Sequence, residues 1–240
     1  EVVPINDPID LAERLGGKEN VPSTLPDPEA PYQVGAEKTF WVTNTDNNDN
    51  FKVQATLRYL GDNIYFWIEN GVRYQESDLR QLADAFDQEI VPTNREFFGM
   101  EWNPGVDDDP RFYVLYARGL GSSLAGYFSS ADELHPAAHP YSNAHEMFLL
   151  NADTVRLSEN YIYGTMAHEF QHMIHWYQDR NEETWVNEGF SMLAEHVNDL
   201  NSGGFDFDYV INPDLQLTDW GAETGENGPH YGASYLFMVY

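Results

Sequence analysis

Two histidines four residues apart, His168 and His172, with Glu169 beside the first, constrain this chain more than any other feature. The pattern around them reads as a helix over about 159–178. Residues four apart lie on one helix face, so both imidazoles can reach one metal ion. Glu169 then stands beside that ion and not on it, where its carboxylate can reach a water molecule. Alone, the pentapeptide also fits two unrelated histidines on an amphipathic helix. A second stretch narrows the choice: Thr184-Trp185-Val186-Asn187-Glu188-Gly189-Phe190-Ser191 opens a further helix, over about 184–199. Trp185 lies one turn behind Glu188 and Met192 one turn ahead, so this carboxylate is expected to be partly buried. A lone buried charge is costly unless it is paired or holds a metal. The intervening residues suffice for a helix end, a turn and a return.

Composition excludes several rival chemistries. The chain has no cysteine, so thiolate metal sites, thiol nucleophiles and disulfide scaffolds are out. Its net charge of −28 repels phosphate backbones and anionic membranes, which argues against a nucleic-acid partner. No apolar run approaches the ~18 residues of a spanning helix. Hydrophobic residues make up 42% of 240, enough to bury a core. Strong acidity with only three lysines fits secretion, and an extracellular location is expected. The absence of an initiator Met suggests a processed start, and the apolar run Tyr235–Tyr240 suggests a piece of a longer protein.

The rest of the chain reads as α+β. Residues 1–36 carry six prolines and form an extended N-terminal arm, with one short helix from Pro8 to Leu15. Phe51, Val53, Ala55, Leu57 and Tyr59 alternate with polar residues, giving a strand buried on one face. Gly61-Asp62-Asn63 turns it into Ile64–Ile68, and Lys38–Thr43 makes a third strand. Ser77 is expected to cap a helix carrying Leu79, Leu82, Ala83, Phe86 and Ile90, which Pro92 kinks or restarts. Phe112–Tyr116 is apolar on both faces, as in a central strand. Glu146–Asn151 reads as another strand, Ala125–Ser129 as a short edge strand, 203–226 as loop, and a last helix begins near His230.

Taken together, His168–His172 and Trp185-Val186-Asn187-Glu188-Gly189-Phe190 resemble the gluzincin zinc peptidases. The fuller runs Ala167–His175 and Glu183–Ala194, with Leu215–Trp220 and Pro229–Ala233, are similar to secreted bacterial peptidases of the hyicolysin and immune-inhibitor-A-like kind. The resemblance is strong over 165–196 and weaker to 240. It implies a zincin-like α+β fold: a twisted, mostly antiparallel sheet with helices in an upper lobe (37–180), a helical lower lobe (181–240), and a cleft between them. It implies Zn²⁺ held by His168, His172 and Glu188, with Glu169 as general base, in hydrolysis of a peptide or protein substrate. His230 or Tyr231 would stabilise the oxyanion, and Ala125, Gly126, Tyr127 and Phe128 would pair with an extended peptide. Met192 stands where thermolysin-like enzymes carry an aspartate, so Asn187 and Glu195 are the candidates to orient the ligand histidines.

A metzincin arrangement would need glycine and histidine where this chain has His175 and Gln178. Gln178 offers only an amide oxygen, and Asp179 is one place out of register. Asp46–Asn50 and Asp107–Asp109 could bind calcium, although turn chemistry accounts for both. His135, His139, His145 and His196 read as structural or exposed. Two other functions remain open: a non-catalytic binding module with a structural zinc, and a zinc hydrolase of non-peptide amides or esters. The intact Glu169 weighs against the first, since a structural site has no use for a base.

Overall fold

A computed structural model describes residues 5–26, 31–200, 204–221 and 227–240. Alternating apolar residues build its sheet. Glu37–Asn44 (β1), Asp49–Leu60 (β2) and Ile64–Glu69 (β3) form an antiparallel meander. Phe112–Ala117 (β4) lies parallel to β3, and Gly126–Phe128 (β5) follows it in sequence. Met147–Asn151 (β6) inserts between these two, parallel to β4 and antiparallel to β5. The order β1-β2-β3-β4-β6-β5 leaves β1 and β5 as edges, and antiparallel pairings predominate.

The sheet curls until its edges communicate. The Thr43 N–H of β1 donates to the Tyr127 hydroxyl of β5 at 3.0 Å. Asn143 covers the neighbouring edge groups, accepting from Trp41 N–H at 2.7 Å and donating to Trp41 C=O at 3.0 Å. Side chains thus occupy an edge that could otherwise pair with another chain. Inside the curl lie Phe40, Val53, Leu57, Trp67, Tyr113 and Leu149. The N-terminal arm seals this side: Tyr32 meets Trp67 edge-on at 5.1 Å. The opposite face, with Phe66, Phe112, Val114 and Phe148, is covered by helices. β3, β4 and β6 are therefore buried on both faces, as their unbroken apolar runs require.

The helices are Pro8–Arg14 (α1), Glu76–Ala85 (α2), Val91–Phe98 (α3), Asn160–Gln178 (α4), Thr184–Val197 (α5), Phe205–Ile211 (α6) and Gly228–Val239 (α7). Pro92 restarts the helix: it has no N–H to donate to the preceding turn, and a wider π turn, Phe86–Ile90, stands before α3. α4 runs beneath the sheet, with Phe170 stacked on Phe112 at a ring separation of 4.8 Å. Polar pins hold α5 against it. Ser191 donates to Gln171 at 2.6 Å, and Asn198 donates to Asn94, which donates to the Ala167 carbonyl. No helix among the described residues is long and apolar enough to cross a membrane.

Three expectations are corrected. Tyr59 does not share the face of Leu57, because the register shifts between them. This bulge turns Tyr59 to the helical side, where its hydroxyl donates to Asp84 of α2 at 2.7 Å. Ser77 is not the cap of α2: Gln75 takes that position, and the Ser77 hydroxyl bonds Asp78 inside the first turn. The stretch expected to be loop after Gly203 contains α6, packed closely on α7.

Candidate metal centre

The spacing of His168 and His172 places both rings on the face of α4 that meets α5. Each is oriented by a second bond. His168 Nδ1–H donates to Glu195 Oε1 at 3.0 Å. His172 Nδ1–H donates to Asn187 Oδ1 at 3.1 Å, with Ser191 Oγ at 3.0 Å. In a neutral ring this network keeps the proton on Nδ1 and leaves Nε2 as the atom that can bind a metal; in the charged ring Nε2–H donates as well. Both Nε2 atoms turn to Glu188 Oε2, at 3.2 Å for His168 and 3.5 Å for His172. Donor atoms of the three residues lie within 4.8 Å of one another, which fits one metal ion bound by two imidazoles and a carboxylate.

Electrostatics follows from this convergence. Burial pushes the Glu188 carboxyl up, but the His172 charge and bonds from both imidazoles outweigh it, holding the group well below the usual carboxylate range. Burial opposes charge on His168, yet bonds to Glu188 and Glu195 and the nearby Glu169 raise its pKa well above normal. His172 is raised too: burial and the His168 charge oppose its charge, but the Glu188 charge and bond and the Glu169 charge outweigh them. Glu169 is buried and adjacent. Burial raises its pKa, opposed by the two imidazoles and by a hydrogen bond from the Phe128 backbone.

That last bond ties the centre to edge strand β5. Asn151 N–H donates to Ala125 C=O at 2.8 Å, which sets the phase of the pairing. Ala125 and Tyr127 turn their backbone groups to β6, so Gly126 and Phe128 turn theirs outward. No other strand among the described residues pairs with β5 on that side. Tyr127 sends its side chain across to β1, away from the centre.

No family model matches the sequence. The chain is 28% identical to the neutral metalloprotease ShpI of Staphylococcus hyicus over 227 aligned residues, covering 85% of this chain. The match takes in 50% of the relative, so the chain spans about half its length. This similarity supports a metallopeptidase relationship, and it extends far beyond the two motifs around the centre.

Other anticipated residues fall in different places. Tyr231, at the start of α7, lies beside the centre: burial raises its pKa, as do the Glu188 and Glu169 charges, so it stays a protonated donor. Its ring is held by Phe205 at 5.2 Å and Trp220 at 4.9 Å. His230 meets Trp220 instead, with Nδ1 buried and unpartnered among the described residues. Gln178 donates to Met100 C=O at 2.7 Å, and His175 packs against Phe190. The two candidate calcium loops, which turn chemistry already accounted for, find no support. Asp46 accepts from Ser122 N–H, Asp109 from the Tyr65 hydroxyl, and buried Asp107 pairs with His145 at 2.5 Å. Sequence reading missed Tyr161, whose phenol feels the charges of Glu195 and Glu169. Its position seven residues before His168, two turns back on the same face, was the available signal. It also missed Ser191, one turn after Asn187 on α5.

Proposed function

We propose that this chain is a zinc-dependent endopeptidase of the gluzincin kind, with the cleft between an upper lobe (37–180) and a helical lobe (181–240). The convergence of the two Nε2 atoms on Glu188, with Glu169 buried beside them, carries the reading. His168, His172 and Glu188 would hold zinc, which supplies Lewis-acid activation of water and of the scissile carbonyl. Glu169 takes the proton from the attacking water and returns it to the leaving amine. Its raised pKa suits both halves of that task. The Tyr231 phenol donates to the oxyanion of the tetrahedral intermediate, with His230 as the alternative donor. An extended substrate adds to β5 over 125–128, using the outward groups of Gly126 and the carbonyl of Phe128, whose N–H is held by Glu169. Extracellular action belongs to this reading, carried by the acidic, lysine-poor composition.

The test is hydrolysis of a mixed peptide library, followed by mass spectrometry, with and without added zinc. The reading expects zinc-dependent cleavage at internal peptide bonds. Binding of zinc without any peptide cleavage would favour a structural site, and cleavage of esters alone would favour a different hydrolase.

A further inference from the structure

A cavity of about 400 Å³ adjoins the centre on its His172 side. Trp176 and Arg180 of α4 and the following turn form one wall, with Ser129 and Ser130 beyond the end of β5. A peptide lying along β5 would therefore pass this cavity as it left the metal residues. Arg180 is half-buried, and its guanidinium lies over the Trp176 ring, 5.3 Å from the centroid. In a chain with 40 acidic residues and 12 basic ones, it makes no hydrogen bond or ion pair with any described residue. The acidic groups at the cavity mouth are engaged elsewhere: Asp179 accepts from Asn181 N–H and Glu182 from Glu183 N–H, both at 2.9 Å. Buried Glu133 feels the Arg180 charge, but no hydrogen bond joins them. A guanidinium stacked on an aromatic face keeps its fork of N–H donors in plane and ready for a bidentate acceptor.

We infer that Arg180, held on Trp176, is a specificity residue that binds a substrate carboxylate in the subsite next to the metal residues. This deepens the peptidase reading and rests on it. The carboxylate could belong to an Asp or Glu side chain or to the substrate's C-terminus, and both present the same two oxygens to the fork.

The test compares kcat/KM of the zinc-loaded full chain on matched peptides with Glu, Gln or Lys at each position flanking the cleaved bond. Each peptide is made with a free and with an amidated C-terminus. At one position the carboxylate should be preferred over its amide by roughly 10- to 100-fold, the usual strength of a charge-assisted bond. Arg180→Gln should bring that ratio to about one, chiefly through KM, and Arg180→Glu should invert it toward Lys. A preference that survives C-terminal amidation assigns the carboxylate to a side chain; one abolished by it assigns the chain end. Three results would overturn the inference: no preference for carboxylates, a preference for Lys in the wild type, or an equal loss on every peptide in Arg180→Gln. The last would mark Arg180 as a countercharge for Glu133, and thermal unfolding of the variant would show the matching loss of stability. Failure to cleave any peptide would instead remove the peptidase reading, and this inference with it.

Discussion

Glu195 shows how much of the centre depends on residues that do not touch the metal position. Its carboxylate receives the His168 Nδ1–H, so His168 can present only Nε2. Removing it frees the ring to rotate and to change tautomer. Glu195→Ala is expected to weaken zinc affinity by roughly 10- to 100-fold, measured by competition with a chelator. Unchanged affinity would show that helix packing alone orients the ring. The three converging residues were legible because a helix repeat turns sequence spacing into shared direction. Glu195 and Asn187 were legible as acceptors near the right place. Phe128 was legible only as part of an edge strand, because its link to Glu169 runs through a backbone N–H, which no side-chain pattern encodes. Arg180 was invisible, since its meaning depends on what surrounds its guanidinium.

Among the elements, strands and long helices were the readable part, because burial on one or two faces imposes a period on the sequence. α6 escaped that logic. It has seven residues, starts after Gly204 in the left-handed region at φ 64°, and lacks a side-chain cap. Local preference does not hold it; α7 does. A methyl group added to Gly232 would fall 1.9 Å from the Phe205 carbonyl oxygen, so the two helices touch through bare backbone. Gly232→Ala should push α6 away and destabilise the protein by about 1–3 kcal/mol, read by denaturant unfolding. It should also lower kcat, because Phe205 braces the Tyr231 ring. Stability lost without any change in turnover would separate Tyr231 from the chemistry. The bulge at Arg58 was hidden for a related reason: the alternation continues through it, while the pairing partner decides which face each residue meets.

The whole molecule carries far more acid than base, and some of that acid is buried. Both oxygens of Glu133 lack a hydrogen-bond partner among the described residues. Burial pushes this carboxyl up to about 8, opposed by Arg180 and reinforced by Asp132 and Glu101. Its pKa is thus higher folded than unfolded. The native state binds the extra proton, so Glu133 destabilises the fold least at low pH, and its contribution becomes more unfavourable as pH rises from the ordinary glutamate range through about 8. Glu133→Gln should flatten that slope, and its Tm should exceed that of the wild type at pH 9 by several degrees, on the order of 2–4 °C per kcal/mol. An unchanged slope would place the titration elsewhere. The central claim concerns Glu169, the one member of the constellation with no use in a purely structural site. Zinc content and peptide turnover should be measured on the same sample of Glu169→Gln. The account predicts one zinc per chain, as in the wild type, with hydrolysis reduced by about 10²-fold or more. Wild-type turnover, or loss of zinc along with activity, would contradict it.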